Sequence, residues 1–105
     1  MLQGTECLGI EMNQGDYGEI LPITFSGIEI LKTDKIFFII KENCLENSKI
    51  IIEDIYYIEN NVLNLQFNEE QSEKLKSGKY NYSIIWQREK SFSITIVDDA
   101  LFVVK

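Results

Sequence analysis

The stretch Lys-Tyr-Asn-Tyr-Ser-Ile-Ile-Trp-Gln, residues 79–87, decides the fold class. Its large apolar side chains recur at every second position, as they do on the buried face of a β-strand. They are Tyr80, Tyr82, Ile84 and Trp86. The alternation resumes beyond a short polar link at Arg88 and Glu89, and we predict that the apolar side chains there also point inward. These are Phe92, Ile94 and Ile96. The two runs predict an antiparallel hairpin.

The same period of two extends upstream into residues 63–67. The pair Asn60-Asn61 precedes this run, and asparagine tolerates the positive φ that a tight turn requires. We therefore predict a second hairpin, with residues 55–58 as the partner strand of residues 63–67.

Other runs complete the prediction of strands. Residues 36–40 and 50–52 are apolar at consecutive positions, which indicates central strands or strands covered by another subunit. Residues 17–25 contain Pro22, which cannot donate to a ladder and therefore belongs at a sheet edge or bulge. Residues 4–12 and 101–105 are predicted as the first and last strands.

One short helix interrupts the strands, at about residues 69–76. Asn68 is a favourable N-cap, and Gln71 occupies the position that returns the capping bond. Glu69 and Glu70 suit the first helical turn, and Gly78 is placed to end the helix.

About eight strands in 105 residues, with turn signals between them, are typical of an all-β sandwich. The 45% apolar content excludes a disordered chain and supplies one core. No repeat or linker divides the sequence, so we predict a single β-sandwich domain over residues 1–105.

The charge and the apolar runs limit location and partners. The formal net charge is −7, which disfavours direct binding to nucleic acid. No apolar run approaches the roughly 20 residues of a membrane-spanning helix, and no signal peptide is recognised. Seventeen Ile and eight Asn against one Ala indicate AT-rich coding DNA. We expect a protein of a low-GC bacterium or its virus, located in the bacterial cytoplasm or the virion, without membrane contact.

The residues that usually carry catalysis are missing or isolated. The chain has no His, and Cys7 and Cys44 lie far apart without the spacing of a zinc site. None of the seven serines lies in a nucleophile elbow. We predict no enzymatic activity, no cofactor and no metal.

The acidic pairs and the glycine-rich segment favour ordinary surface roles. Glu53-Asp54 and Asp98-Asp99 are neighbours along predicted strands, so the two carboxylates of each pair point to opposite faces. This separation disfavours a two-carboxylate glycosidase site and a calcium site. Residues 15–18 contain two glycines but no following Lys, which indicates a turn and not a phosphate loop.

The aromatic residues fall into two groups. Those of residues 79–87 favour core packing over base or sugar stacking, because no basic side chains are interleaved with them. Tyr56 and Tyr57 are strand neighbours, so one must leave the core if the other enters it. We predict Tyr56, Tyr57 and Ile58 as a candidate interface.

The order of elements carries a resemblance to a known family. Its most specific part is Leu75-x-x-Gly78-x-Tyr80-x-Tyr82-x-Ile84 after the short helix. The other matching segments are Gln14-Gly15-Asp16, Phe38-Ile39-Ile40-Lys41, Asn60-Asn61, Leu63-Asn64-Leu65, Thr95-Ile96 and Phe102-Val103-Val104. Over residues 10–105 the chain resembles the immunoglobulin-like β-sandwich module of structural proteins in tailed phages and prophages of low-GC Gram-positive bacteria. The N-terminal domain of baseplate upper proteins is one member.

This resemblance implies an antiparallel immunoglobulin-like sandwich. Tyr80, just after the helix, is expected to form a tyrosine corner, in which its hydroxyl bonds back to the connecting backbone. Members of the family usually carry a glycine before the last strand, where this chain has residues 98–100, Asp-Asp-Ala.

Three functions are open from the sequence. The leading one is a non-enzymatic assembly module of a tail, baseplate, neck or capsid, which contacts other virion proteins or forms a homo-oligomer. The second is a small acidic anti-defence inhibitor that mimics nucleic acid, because residues 42–74 hold 8 acidic and 2 basic side chains. The third, a carbohydrate-binding module, rests on the fold and its aromatic residues alone.

Overall fold

The computed structural model describes residues 1–4, 8–45 and 47–105. In chain order these residues form β1 (Gln3–Gly4), β2 (Ile10–Met12), β3 (Ile20–Thr24), β4 (Lys35–Lys41), β5 (Ile50–Tyr56), β6 (Val62–Gln66), α1 (Glu69–Lys74), β7 (Gly78–Arg88) and β8 (Phe92–Val104). The prediction of an all-β chain with one short helix is confirmed. The first predicted strand, residues 4–12, is two short strands, and Cys7 lies outside the described residues.

The strands form two sheets that enclose one core. The large sheet has the order β1-β2-β8-β7-β4-β5, and β3 and β6 form the small sheet. In β4, the fully buried residues Ile36, Phe38 and Ile40 alternate with partly exposed neighbours, as they must on a sheet with one covered face. One pair departs from the antiparallel arrangement, because β2 runs parallel to β8.

Four aromatic rings join the layers at the centre of the core. Phe67, between β6 and α1, packs against Phe38 of β4 and Phe102 of β8, with ring centroids 6.2 and 6.0 Å apart. Tyr82 stacks on Phe38 at 5.2 Å. Each large ring removes much apolar surface from water, so this cluster is the main hydrophobic contact between β4, β7, β8 and the helix connection.

The helix begins as predicted and ends earlier. Asn68 Oδ1 accepts a hydrogen bond from Gln71 N at 2.8 Å, and Gln71 Oε1 accepts one from Asn68 N at 2.9 Å, which completes the capping box. The helix stops at Lys74, so the predicted extension to residue 76 is wrong. Leu75 leaves the helical conformation, and its side chain is completely buried in the hydrophobic core.

The Asn60-Asn61 turn forms, but the hairpin predicted around it does not. Both residues have positive φ, at 56° and 58°. β5 ends at Tyr56 and pairs with β4, whereas β6 pairs with β3 in the other sheet. The chain crosses between layers here because β6 must place its apolar side chains on the opposite side of the core. Pro22 lies in β3, opposite Asn64, in the small two-stranded sheet where an edge position is available.

The β7–β8 hairpin is confirmed, with a change of register along it. Tyr82 pairs with Ala100, Ile84 with Val97 and Ile85 with Thr95, so β8 carries one extra residue at each of two bulges. Val97 lies between the bulges and is buried, whereas Ile94, predicted to point inward, shares the face of its partner Trp86 but is 46% exposed. The predicted last strand, residues 101–105, is the continuation of β8.

Candidate interaction surface

The outer face of the large sheet carries an apolar row that no second layer covers in the described part of the chain. Phe37 of β4 lies between Ile55 of β5 and Ile85 of β7 as direct cross-strand partners. Phe37 faces away from the core because its neighbours Ile36 and Phe38 are fully buried. Ile55 is 50% exposed, and Phe37 and Ile85 are partly buried. These three residues are called the apolar row below.

Beside the apolar row, β5 is the last strand of the large sheet. Within residues 1–4, 8–45 and 47–105, no strand pairs with its far side, which is called the β5 edge below. A strand in this position presents alternate backbone N–H and C=O groups to solvent. Glu53 is exposed and Asp54 is partly buried, so the predicted separation of this acidic pair onto opposite faces is confirmed.

Tyr56 ties the end of β5 to the small sheet. Its hydroxyl lies 3.4 Å from the carbonyl oxygen of Gln66 in β6 and 3.5 Å from Asp54 Oδ2. Gln71 Nε2 donates to the same carboxylate oxygen at 2.6 Å. Burial, aided by the negative charge of Asp54, raises the pKa of Tyr56 to about 12. The hydroxyl therefore stays protonated at physiological pH and positions the strand.

Two adjoining hollows open between β5 and β6, with volumes of about 500 and 460 Å³. Both are lined by Tyr56 and Asn64. The first hollow also has the amides of Gln66 and Gln71 and the carboxylate of Asp54 in its wall. The lining is rich in hydrogen-bonding groups, so this side of the sandwich is suited to polar contacts with a second molecule.

The three residues predicted as an interface take different positions. Tyr57 is 62% exposed, and Tyr56 is partly buried beside it. Ile58 is only 5% exposed and belongs to the core, so it does not reach the surface. Ile55 lies at the surface instead. Sequence reasoning missed Ile55, although the alternation that exposes Tyr57 assigns the residue two positions earlier to the same face.

Tyr80 has the contact expected of a tyrosine corner. Its hydroxyl donates to the carbonyl oxygen of Lys76 at 2.7 Å, four residues back in the connection from α1 to β7. This bond fixes the path of the chain as it enters the long strand.

A buried charged cluster lies just before the beginning of β4, and sequence reasoning missed it. Asp34 is 1% exposed and accepts hydrogen bonds from Trp86 Nε1 at 2.9 Å and from Arg88 Nε and Nη2 at 3.1 and 3.0 Å. Leu31 N donates to it as well, at 2.9 Å. The side chains of Asp34, Trp86 and Arg88 are called the Asp34 cluster below.

Hydrogen bonds from Arg88 lower the pKa of Asp34 to about 2, even though burial alone acts in the opposite direction. The Arg88 guanidinium also lies over the ring of Phe92, 5.0 Å from its centroid. A sequence signal existed, because a buried Trp N–H requires an acceptor and Arg88 follows Trp86 on the same strand face. The cluster stabilises the loop before β4.

The remaining candidate residues do not form a site. Cys44 is an exposed free thiol in the loop after β4. Asp98 is exposed, and Asp99 Oδ1 lies 3.4 Å from Lys41 Nζ. No three side chains of the kinds that bind metals come together among the residues described. No helix in the same residues is long and apolar enough to cross a membrane.

The chain was compared with protein-family models, with curated proteins and with solved structures, and none of the three comparisons found a match.

Proposed function

We propose that this chain is a non-enzymatic assembly module of a phage or prophage particle, and that it acts through protein–protein contacts. The contact surface consists of the β5 edge, the apolar row and Tyr57. The observation that carries the contact role is that the apolar row ends at Ile55 on an unpaired strand, and the assignment to a phage or prophage particle follows from the sequence resemblance. The two features together offer apolar area and backbone hydrogen bonds to the same partner.

The composition of this surface supports a protein partner. Protein interfaces are enriched in tyrosine and phenylalanine, and the surface combines Tyr57 with the ring of Phe37. Isolated exposed apolar residues are common on any protein, but contiguous ones rimmed by polar side chains mark contact sites. Here the cross-strand pairing makes Ile55, Phe37 and Ile85 contiguous, and Glu53 lies at the rim.

We further propose that the sandwich is immunoglobulin-like, and the arrangement of strands supports this. In the variable-type immunoglobulin sandwich, strands C, C′, F and G share one sheet and strands B and E lie in the other. In chain order β4, β5, β7 and β8 take the places of C, C′, F and G, and β3 and β6 take those of B and E. Tyr80 stands near the beginning of the strand equivalent to F, where the tyrosine corner belongs.

The partner in this proposal is another virion protein or a second copy of the chain. The test places a photo-crosslinking amino acid at position 57 and produces the chain in the host that carries its gene. Position 17 is the matched control, since Tyr17 is also an exposed tyrosine, at 54% against 62% for Tyr57. We expect purified particles to contain the chain crosslinked from position 57 to one defined virion protein or to itself.

Two outcomes would contradict the assembly proposal. Particles that lack the chain would exclude a virion component, and equal crosslinking from positions 17 and 57 would exclude this surface. Size-exclusion chromatography with light scattering distinguishes a homo-oligomer from a chain that assembles only on another protein. It is run across a concentration series at low and high salt.

The acidic inhibitor is the second candidate, and the distribution of charge favours it. Residues 42–74 carry 8 acidic and 2 basic side chains, so −6 of the net −7 falls in this segment, which includes β5 and α1. An inhibitor that mimics nucleic acid would crosslink from position 57 to a basic nucleic-acid-binding protein in the host lysate. Double-stranded DNA would compete for that complex, and added salt would weaken it steeply.

A further inference from the structure

We propose that the β5 edge receives an extended segment rich in lysine or arginine, from a partner protein, as an additional strand of the large sheet. This inference rests on the proposed function, because it names the chemistry of the partner at the same surface. It goes further by specifying the conformation and the charge of the bound segment.

The geometry of β5 allows such an addition. β5 spans seven residues, Ile50–Tyr56, and pairs regularly with β4 from Ile36↔Tyr56 to Ile40↔Ile52, beyond which a bulge at Ile51 precedes the pair Lys41↔Ile50. The regular part, residues 52–56, is as long as an ordinary strand, so its free side offers a template for a peptide. Addition of a strand satisfies the exposed backbone groups through main-chain hydrogen bonds, which supply affinity without requiring one particular sequence.

The side chains of β5 select the charge of the added strand. Glu53 and Asp54 are the charged residues of β5, and both are acidic. Side chains directly opposite each other on neighbouring strands lie only about 5 Å apart, so a basic residue opposite Glu53 is favoured and an acidic one is opposed. Glu53 and Ile55 share the outer face, so the matching segment has a basic and an apolar residue two positions apart.

The same charges oppose a second copy of this chain at the β5 edge. In an antiparallel pair of β5 strands with full overlap, Ile50 lies opposite Tyr56 and Glu53 lies opposite Glu53. A shift of two residues keeps the core-facing side chains of both strands on the same side of the sheet. In one of the two directions this shift places Asp54 opposite Asp54. Like charges directly opposite each other destabilise a sheet. In these two registers the acidic residues therefore oppose self-pairing, whereas a basic strand would be favoured.

The test uses the full chain and two synthetic peptides. The probe is the capped peptide Thr-Thr-Val-Lys-Lys-Val-Thr-Thr, and the comparison peptide has Glu in place of each Lys. Each peptide is titrated into the isotope-labelled chain, and NMR follows chemical shifts and amide hydrogen exchange residue by residue. We expect the lysine peptide to slow exchange of amides in residues 50–56 and to bind more weakly as ionic strength rises.

Matched variants identify the residue responsible. We expect Glu53→Gln to weaken binding of the lysine peptide by about two- to fivefold, the effect of one solvent-exposed charge pair. Asp98→Asn removes the same charge from an exposed position on β8, three strands away in the sheet, and should leave the affinity unchanged. A dispersed NMR spectrum shows that each variant is folded.

The inference is overturned if the glutamate peptide binds as well as the lysine peptide. It is also overturned if the lysine peptide does not bind, or if its effects map to strands other than β5. In either case crosslinking from position 57 to a virion protein would still support the proposed function. Failure of that crosslinking, with β5 amides protected by the lysine peptide, would overturn the virion assignment and leave the strand-addition site in place.

Discussion

The Asp34 cluster and the β5 edge both adjoin β4 and both contain carboxylates near aromatic side chains. They differ in exposure, because the carboxylate of Asp34 is buried and that of Glu53 is exposed. Asp34 is 1% exposed and is surrounded by donors from Trp86, Arg88 and the backbone. Glu53 lies in solvent on a strand with one unpaired side. A buried carboxylate is costly to remove once its donors depend on it, whereas the proposal gives the carboxylate at the open edge the role of selecting the strand that binds there.

The largest effect is expected from breaking the buried region. Asp34→Ala removes the acceptor for Trp86 Nε1 and leaves the Arg88 guanidinium without its carboxylate. We expect the free energy of unfolding to fall by about 3 kcal/mol, as measured by urea denaturation. Asp98→Ala, at an exposed position, should change it by less than about 0.5 kcal/mol. Equal losses in the two variants would contradict a stabilising role for the cluster.

Lowering the pH should also decrease the free energy of unfolding, by part of the amount expected for Asp34→Ala. The pKa of Asp34 is lowered from 3.8 to about 2 in the folded chain, so the folded state favours the ionised carboxylate. The resulting stabilisation, about 2 kcal/mol, is present above about pH 4 and is lost as the pH falls from about 4 to 2. Urea titrations from about one pH unit above this range down to its lower end would measure the loss. Asp34→Asn should flatten the pH dependence, and an unchanged profile would contradict the assignment.

Removing one hydrogen-bonding group from an aromatic residue in each region sharpens the comparison. Trp86→Phe takes a donor from the buried carboxylate and should cost about 2 kcal/mol. Tyr56→Phe removes a hydroxyl whose contacts are 3.4 and 3.5 Å long, and should cost about 0.5 kcal/mol. Thermal unfolding followed by circular dichroism compares the two variants. A larger loss from Tyr56→Phe would reverse the assignment of stability to the two regions.

The smallest effect on unfolding is expected at the β5 edge. Glu53→Thr should change the free energy of unfolding by less than about 0.5 kcal/mol. Loss of the like-charge contact should allow β5 strands of two molecules to pair, so the variant should associate at lower concentration than the original chain. Sedimentation velocity across a concentration series measures this, with Asp98→Thr as the control. An association constant identical in all three chains would show that Glu53 does not protect the edge.

Local features of the fold could be predicted from the sequence because they depend on neighbouring residues. The alternation in residues 79–87 gave β7, and Asn68 with Gln71 gave the capping box. The Asn60-Asn61 turn was also predicted, yet the choice of sheet for β6 was not. Turn geometry depends on two residues, but the sheet to which a strand belongs depends on the whole core.

The candidate surface was predictable only in part for the same reason. Exposure of Tyr57 follows from alternation, but burial of Ile58 depends on where the chain crosses between the sheets. Trp86 and Arg88 indicate locally that an acceptor is needed, but Asp34 lies 52 and 54 positions away along the chain, so no local pattern identifies it as that acceptor. The bulges on either side of Val97 likewise appear only when β7 and β8 are paired.

The position of β8 in the large sheet has a consequence for synthesis of the protein. β8 lies between β2 and β7, although it is made after both of them. Until it leaves the ribosome, the early strand β2 has no neighbour that links it to β7, and the nascent chain exposes unpaired strand edges to the cytosol. Contacts so distant in sequence form slowly. We expect ribosome-bound chains that end at residue 91 to be digested rapidly by protease, and chains with β8 outside the exit tunnel to resist it.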